Sequence, residues 1–193
     1  GLIDFVVSSK SKSLYVFDIN GLKTEYYADR YLMGTPVIGN FDSDADLEIA
    51  VGGYSGTTSS NPLFVINYDG TDVNGFPYIV GQKIKSGGAV ADMDGNGIDD
   101  IIFGTDSDDL HVILDSGVSA PNFPVSFADR IQSEPAILDI DGDKVILVGC
   151  KDNNFYAINY NDGTLRFLIP TGDDVYTSAS FNDDYIYFGS DDG

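Results

Sequence analysis

Tryptophan is absent from this chain, and cysteine and histidine occur once each. A single thiol, Cys150, cannot form an internal disulfide, and its apolar flank from Val145 to Gly149 marks it as a small core residue. One Cys and one His leave no donor set for zinc. There is no G-x-S-x-G elbow, no phosphate loop and no pair of cysteines, so the familiar catalytic constellations lack their parts. Basic residues are also scarce, ten against 31 acidic ones, for a formal net charge of −21. Such a surface repels phosphate backbones and argues against nucleic acid as a partner. No run approaches the roughly 18 apolar residues of a membrane-spanning helix, and the first residues do not read as a signal peptide, so an export signal is expected outside this sequence if the protein is secreted. No apolar pattern of period 3.6 is long enough for a helix.

What the chain does hold is apolar and turn-forming residues. Hydrophobic residues make up 42%, with twelve Phe and twelve Tyr, which excludes a disordered chain, and 22 Gly with many Asp and Asn suit short strands. Short apolar runs ending in a small residue recur: Ile3 to Ser8, Leu47 to Gly52, Asp99 to Gly104, Lys144 to Gly149 and Asp184 to Gly189. Each of the first four is followed by a polar turn and a second strand, at Ser13 to Asp18, Pro62 to Asn67, Asp109 to Leu114 and Asn154 to Asn159. Then comes a turn pair, Asn20-Gly21, Asp69-Gly70, Ser116-Gly117 or Asp162-Gly163. Asn-Gly and Asp-Gly are strong hairpin signals because both residues tolerate positive φ. A further strand follows at Phe76 to Val80, Phe123 to Phe127 and Leu165 to Ile169. Ahead of each apolar run after the first lies a small-residue strand, at Thr35 to Gly39, Gly88 to Ala91, Glu134 to Leu138 and Ser178 to Phe181, fit for the crowded axis where blades converge.

Four strands in fixed order, repeating every 40 to 50 residues or so, are the signature of a β-propeller. The fold class is therefore all-β, a propeller of four-stranded antiparallel blades. The expected units are 1–33, 34–86, 87–132, 133–172 and 173–193, about four blades' worth and a piece of a larger ring of about six to eight blades.

Acidic clusters lie between the innermost strand and the next. Aligned on Gly52 and Gly104, the stretch from Asn40 to Glu48 matches that from Asp92 to Asp100, with oxygen side chains at loop positions 1, 3, 5 and 9 of both. These are Asn40, Asp42, Asp44 and Glu48 in the first loop, and Asp92, Asp94, Asn96 and Asp100 in the second. Position 7 adds a backbone carbonyl from Asp46 or Ile98. Calcium, a hard cation taking six to eight oxygens, suits such a set better than magnesium, which keeps several waters. Gly95 and Gly97 ease the turn of the second loop, and the first must follow the same path with Ser43 and Ala45, so the second is expected to bind more tightly. A third run, Asp139, Asp141 and Asp143, keeps positions 1, 3 and 5 but is two residues shorter and brings no acid to position 9.

These residues resemble the FG-GAP or VCBS repeat family, the calcium-loop propellers of integrin α-subunit heads and many secreted bacterial proteins. The likeness covers nearly the whole chain and is most specific from Ala89 to Gly104, with Phe76-Pro77 and Phe123-Pro124 where bacterial members often carry a Gly-Trp-Pro-like step. The last units, Asn153 to Gly163 and Tyr185 to Gly193, look more like quinoprotein-type repeats. The absence of the docking Trp that usually ends those repeats speaks against a quinone cofactor. The resemblance implies a secreted or cell-surface propeller in which calcium holds blade loops. It also implies a non-catalytic adhesion module for a protein or glycan ligand. The alternatives are a propeller of a polysaccharide-active, lyase-like enzyme and, more remotely, a quinoprotein-type dehydrogenase. Against catalysis, the one His, His111, aligns with Tyr15, Phe64 and Tyr156 of the second-strand series, a position in the body of a blade.

Overall fold

The computed structural model describes residues 4–55, 60–140, 142–182 and 184–193. Strands alone make up its regular structure, and no helix occurs among the described residues. The first sheet runs β1 (Phe5–Ser8), β2 (Ser13–Asp18) and β3 (Gly21–Tyr27). The second is built on β6 (Glu48–Tyr54), which pairs on one side with β5 (Val37–Gly39) and, at its far end, with β4 (Tyr31–Leu32). Outward from β6 lie β7 (Pro62–Ile66) and β8 (Tyr78–Ile79). The third blade is β9 (Gly88–Ala91), β10 (Asp100–Gly104), β11 (Asp109–Ile113) and β12 (Val125–Ser126). The fourth is β13 (Ala136–Ile140), β14 (Asp143–Cys150), β15 (Asn154–Asn159) and β16 (Leu165–Pro170). A last pair, β17 (Ser180–Phe181) and β18 (Ile186–Tyr187), begins a fifth. All the pairings are antiparallel and follow the order that the repeat predicts, except that β4, from the expected unit 1–33, joins β6 of the second blade.

The core lies between blades rather than inside one sheet. A strand sends alternate side chains to opposite faces, so a central strand covered on both sides is apolar throughout, and Asp100–Gly104 is buried at every position. Ile101 and Phe103 share a core cluster with Ala50, Leu63 and Val65 of the second blade, while Ile102 shares one with Ile146 and Val148 of the fourth. Burying one such side chain is worth about 1.5–3 kcal/mol. The recurrent glycine ending each run has a steric cause. A Cβ on Gly52, Gly104 or Gly149 would lie 2.2, 2.2 or 2.5 Å from a methyl of Ile84, Ile131 or Val175. Those three are themselves buried and stand four residues or so ahead of the innermost strand of the next unit, an anchor that the repeat carries but that periodicity alone does not reveal.

The hairpin turns depart from expectation in detail. Gly21, Gly70, Gly117 and Gly163 all have positive φ, but the residues before them, Asn20, Asp69, Ser116 and Asp162, do not, so the glycine alone takes up the strain of the turn. Cys150 is fully buried, and burial pushes its thiol up to about 12. His111 sits in the body of the third blade, 5% exposed and stacked on Phe103 with ring centroids 5.1 Å apart.

Candidate metal loops

Both acidic loops connect an innermost strand to its neighbour, the first from β5 to β6 and the second from β9 to β10. Each gathers three carboxylates into one place. Asp42, Asp44 and Glu48 can bring one oxygen each within 4.8 Å of one another, and so can Asp92, Asp94 and Asp100. In each trio position 9 is the buried member, Glu48 at 1% and Asp100 at 0% exposure, because it is also the first residue of the strand that enters the core. The other two members stand nearer the rim, Asp42 and Asp44 at positions 3 and 5 of the first loop and Asp92 and Asp94 at positions 1 and 3 of the second.

Backbone donors fix the buried acids. Glu48 Oε2 accepts the Phe41 N–H at 2.7 Å. Asp100 accepts two such bonds, from Met93 at 2.8 Å and Asp115 at 3.0 Å. Even so, burial raises the Glu48 carboxyl above its ordinary value, and the charges of Asp42, Asp44 and Asp46 act in the same sense. Burial likewise pushes Asp100 up to about 6, with Asp94 and Asp115 adding to it. A buried acid crowded by other acids and short of positive charge is what a bound cation relieves. In the first loop, Asn40 Oδ1 is buried and has no hydrogen-bond partner. Buried polar atoms rarely go unpaired, and this one sits at position 1, where a ligand oxygen is expected. The donor set of carboxylate and amide oxygens fits calcium and offers nothing soft.

The two loops do not share one backbone path, contrary to the expectation for Ser43 and Ala45. Gly95 and Gly97 have φ of 83° and 90°, whereas neither Ser43 nor Ala45 has positive φ. Both loops carry the same pair of Asx bonds, Asp44 N–H to Asp42 Oδ1 and Asp46 N–H to Asp44 Oδ1 in the first, both 2.8 Å, and Asn96 N–H to Asp94 Oδ1 and Ile98 N–H to Asn96 Oδ1 in the second, at 3.1 and 2.7 Å. In the second, Asp92 alone collects three N–H groups, from Gly95 at 2.7 Å, Asn96 at 3.1 Å and Gly97 at 2.9 Å. Burial opposes ionisation of Asp92, yet these donors and the Lys144 ammonium outweigh it and hold its carboxyl below the ordinary value.

The predicted ligands are therefore placed unequally. Asp46 directs its N–H to Asp44, and its carboxylate is not one of the trio; its expected contribution is the carbonyl. Asn96 Oδ1 accepts the Ile98 N–H at 2.7 Å, while its amide nitrogen lies 3.0 Å from Asp115 Oδ1 and 3.4 Å from Asp94 Oδ2. The third acidic run closes as a tight hairpin, with Asp139 opposite Lys144 and Ile140 opposite Asp143. Asp139 accepts the Gly142 N–H, and Asp143 turns towards Arg166 at 3.7 Å. Asp139 and Asp143 join no acid trio among the described residues. Asp141 lies outside the described residues.

Several neighbours escaped the sequence reading. Asn67, Tyr68 and Asp69 line an open cleft with the first loop's acids, and Asp115 abuts the second loop as described. The phenol of Tyr160, raised by burial and by the charges of Asp100, Asp94 and Asp92, lies beside it as well. Asn67, Tyr68, Asp69 and Asp115 come from the far end of the next hairpin and Tyr160 from the following blade, and no local spacing announces them.

No protein-family model matches the chain, and no curated protein matches it. Solved structures do. Sqt1 of Saccharomyces cerevisiae superposes with a TM-score of 0.75 at 14% identity, over 98% of this chain and 53% of that one. BamB of Moraxella catarrhalis gives 0.68 at 17% identity, over 96% and 51%. BBS1N, solved in complex with ARL6DN, gives 0.69 at 11% identity, over 97% and 55%. This chain thus spans about half the length of each. All three are β-propeller proteins, and at these identities the likeness concerns the fold alone. The chain is an all-β propeller of four-stranded antiparallel blades.

Proposed function

We propose that this chain is a calcium-stabilised propeller module of a secreted or cell-surface protein, non-catalytic, which presents its blade loops to a protein or glycan ligand. The observation that carries it is the pair of acid trios, each with one buried member, at the same place in successive blades. Asn40, Asp42, Asp44 and Glu48, with the Asp46 carbonyl, hold one ion. Asp92, Asp94, Asn96 and Asp100, with the Ile98 carbonyl, hold the other. Calcium supplies charge neutralisation and stiffness to the loops, and no chemistry. Outside the cell, calcium is abundant enough for loops whose dissociation constants are about 10⁻⁴ to 10⁻³ M. A role in recognition is in keeping with BBS1N, a propeller of similar fold solved with a partner bound. The one His is buried and stacked on Phe103, in keeping with a packing role.

Calorimetric melting tests the reading. Calcium at about a hundred times its dissociation constant adds about 2.7 kcal/mol per site, roughly 5 to 10 °C for a domain of this size. Asp94→Ala is expected to lose one site's share. An identical melting temperature in calcium and in chelator sinks the reading. Turnover of a polysaccharide panel by the purified chain, abolished by a single loop substitution, would overturn the non-catalytic part.

A further inference from the structure

Counted back from the terminal glycine of each run, the residue just ahead of position 9 is Leu47 in the second blade, Asp99 in the third and Lys144 in the fourth. The polar two reach backwards, across the junction, into the acidic loop of the blade before. Asp99 Oδ2 accepts the Asn40 N–H at 2.9 Å, and the Asp99 N–H donates to the Asn40 carbonyl at 2.8 Å. Asn40, at position 1 of the first loop, is thus clamped by two bonds from the second. Room for the clamp is reserved by Gly39, where a Cβ would lie 3.1 Å from Asp99 Oδ2 and 2.6 Å from Val90 Cγ1. One junction on, Lys144 Nζ donates to the Met93 carbonyl at 3.3 Å, at position 2 of the second loop, and its charge acts on Asp92. The same place in the repeat therefore delivers a negative side chain to one loop and a positive one to the other.

We propose that this position sets the calcium affinity of the loop on the preceding blade: Asp99 strengthens the 40–48 loop and Lys144 weakens the 92–100 loop. This rests on the calcium reading above. Asp99 acts in two ways. It fixes the backbone of Asn40, so that the position-1 amide oxygen is held ready rather than ordered on binding, and it adds a negative charge close to the ion. Lys144 places an ammonium where a divalent cation has to come, and repulsion between them lowers affinity by an amount that salt screens. Neither side chain need touch the ion. They are positioning and charge-setting residues, supplied in trans by the next blade.

Calcium titration by calorimetry, one loop at a time, tests this. In an Asp44→Ala background, which leaves the second loop, Lys144→Gln is expected to tighten binding about three- to tenfold, with a smaller gain at high salt. Lys144→Arg is expected to stay near wild type, a rescue that a purely steric role would not produce. In an Asp94→Ala background, which leaves the first loop, Asp99→Ala is expected to weaken binding about tenfold and Asp99→Asn less, since an amide oxygen still accepts the Asn40 N–H. Thermal melting in chelator checks that each variant folds, and terbium luminescence gives a second affinity. Binding that is indifferent to both side chains overturns the proposal and leaves the calcium reading intact. A wild-type chain that takes up no calcium overturns both.

Discussion

The loops at 40–48 and 92–100 each gather an acid trio at the same place in the blade, positions 3, 5 and 9 in the first and 1, 3 and 9 in the second, and reach it by different backbones. In the second, two glycines at positive φ let Asp92 collect three N–H groups, and Asp100 is anchored twice. In the first, no glycine is present, the turn has only the Asx bonds that both loops share, and Glu48 is anchored once. Positions 3 and 9 alone are common to the two trios, and the buried acid keeps its place because the strand starting at position 9 sets it whatever the loop does. The difference ought to show as unequal tolerance to substitution.

The largest effect is expected at position 9 itself. Asp100→Ala strands two N–H groups, of Met93 and Asp115, whereas Glu48→Ala strands only that of Phe41. At about 1–3 kcal/mol for each unsatisfied group, the first should cost about 2–6 kcal/mol in chelator and the second about half as much. Urea denaturation of the two variants measures this, and equal losses would show that the anchoring is not what separates the loops.

The blades that carry the loops also differ in the second strand, where Phe64 of one corresponds to His111 of the other. Burial lowers the His111 imidazole to about 4, and its nitrogens have no hydrogen-bond partner. Because the folded pKa lies below the unfolded one, the unfolded chain takes up protons more readily between about 6.5 and 4. Stability from this group is full above pH 6.5 and is lost as pH falls through that window, by about 3 kcal/mol at pH 4. In His111→Phe, which makes the third blade like the second, that loss should vanish. Denaturation of both proteins at a series of pH values gives the difference, in which the titration of the acid loops cancels.

Smaller effects sharpen the contrast between the loop backbones. A methyl added at Gly95 would meet open space, but the backbone there has a φ of 83°, so Gly95→Ala costs about 1–2 kcal/mol from conformation alone and weakens calcium binding to that loop. Ser43→Gly, where φ is not positive, should change stability by about 0.5 kcal/mol or less. Melting in chelator, followed by calcium titration, separates the two contributions. A Gly95→Ala protein as stable as wild type would mean that the second loop does not depend on its glycines.

Much of the architecture was legible in the residues. Runs such as DIIFG and VILVG are apolar without alternation because both faces of a central strand are covered, and only a stack of sheets covers both faces of so many short strands. The acid trios were legible too, since alternate positions in a tight loop face one way and the strand start buries the ninth. The course of the first loop was not, because a sequence shows which residues tolerate positive φ and not which turn the chain adopts without them. The third acidic run read as a shortened loop, and only the pairing of β13 with β14 placed Asp139 and Asp143 on opposite arms of a hairpin.

By itself, then, the order of residues determined the repeat, the strand types and the oxygen side chains at loop positions 1, 3, 5 and 9, all of which depend on local period and local turn chemistry. The tertiary structure alone decided which side chains meet across a blade junction. Asp99 on Asn40, Lys144 on Met93 and Ile131 over Gly104 are pairs 59, 51 and 27 residues apart. Such contacts are set by how one twisted sheet lies on the next, and no pattern within a single repeat encodes that angle.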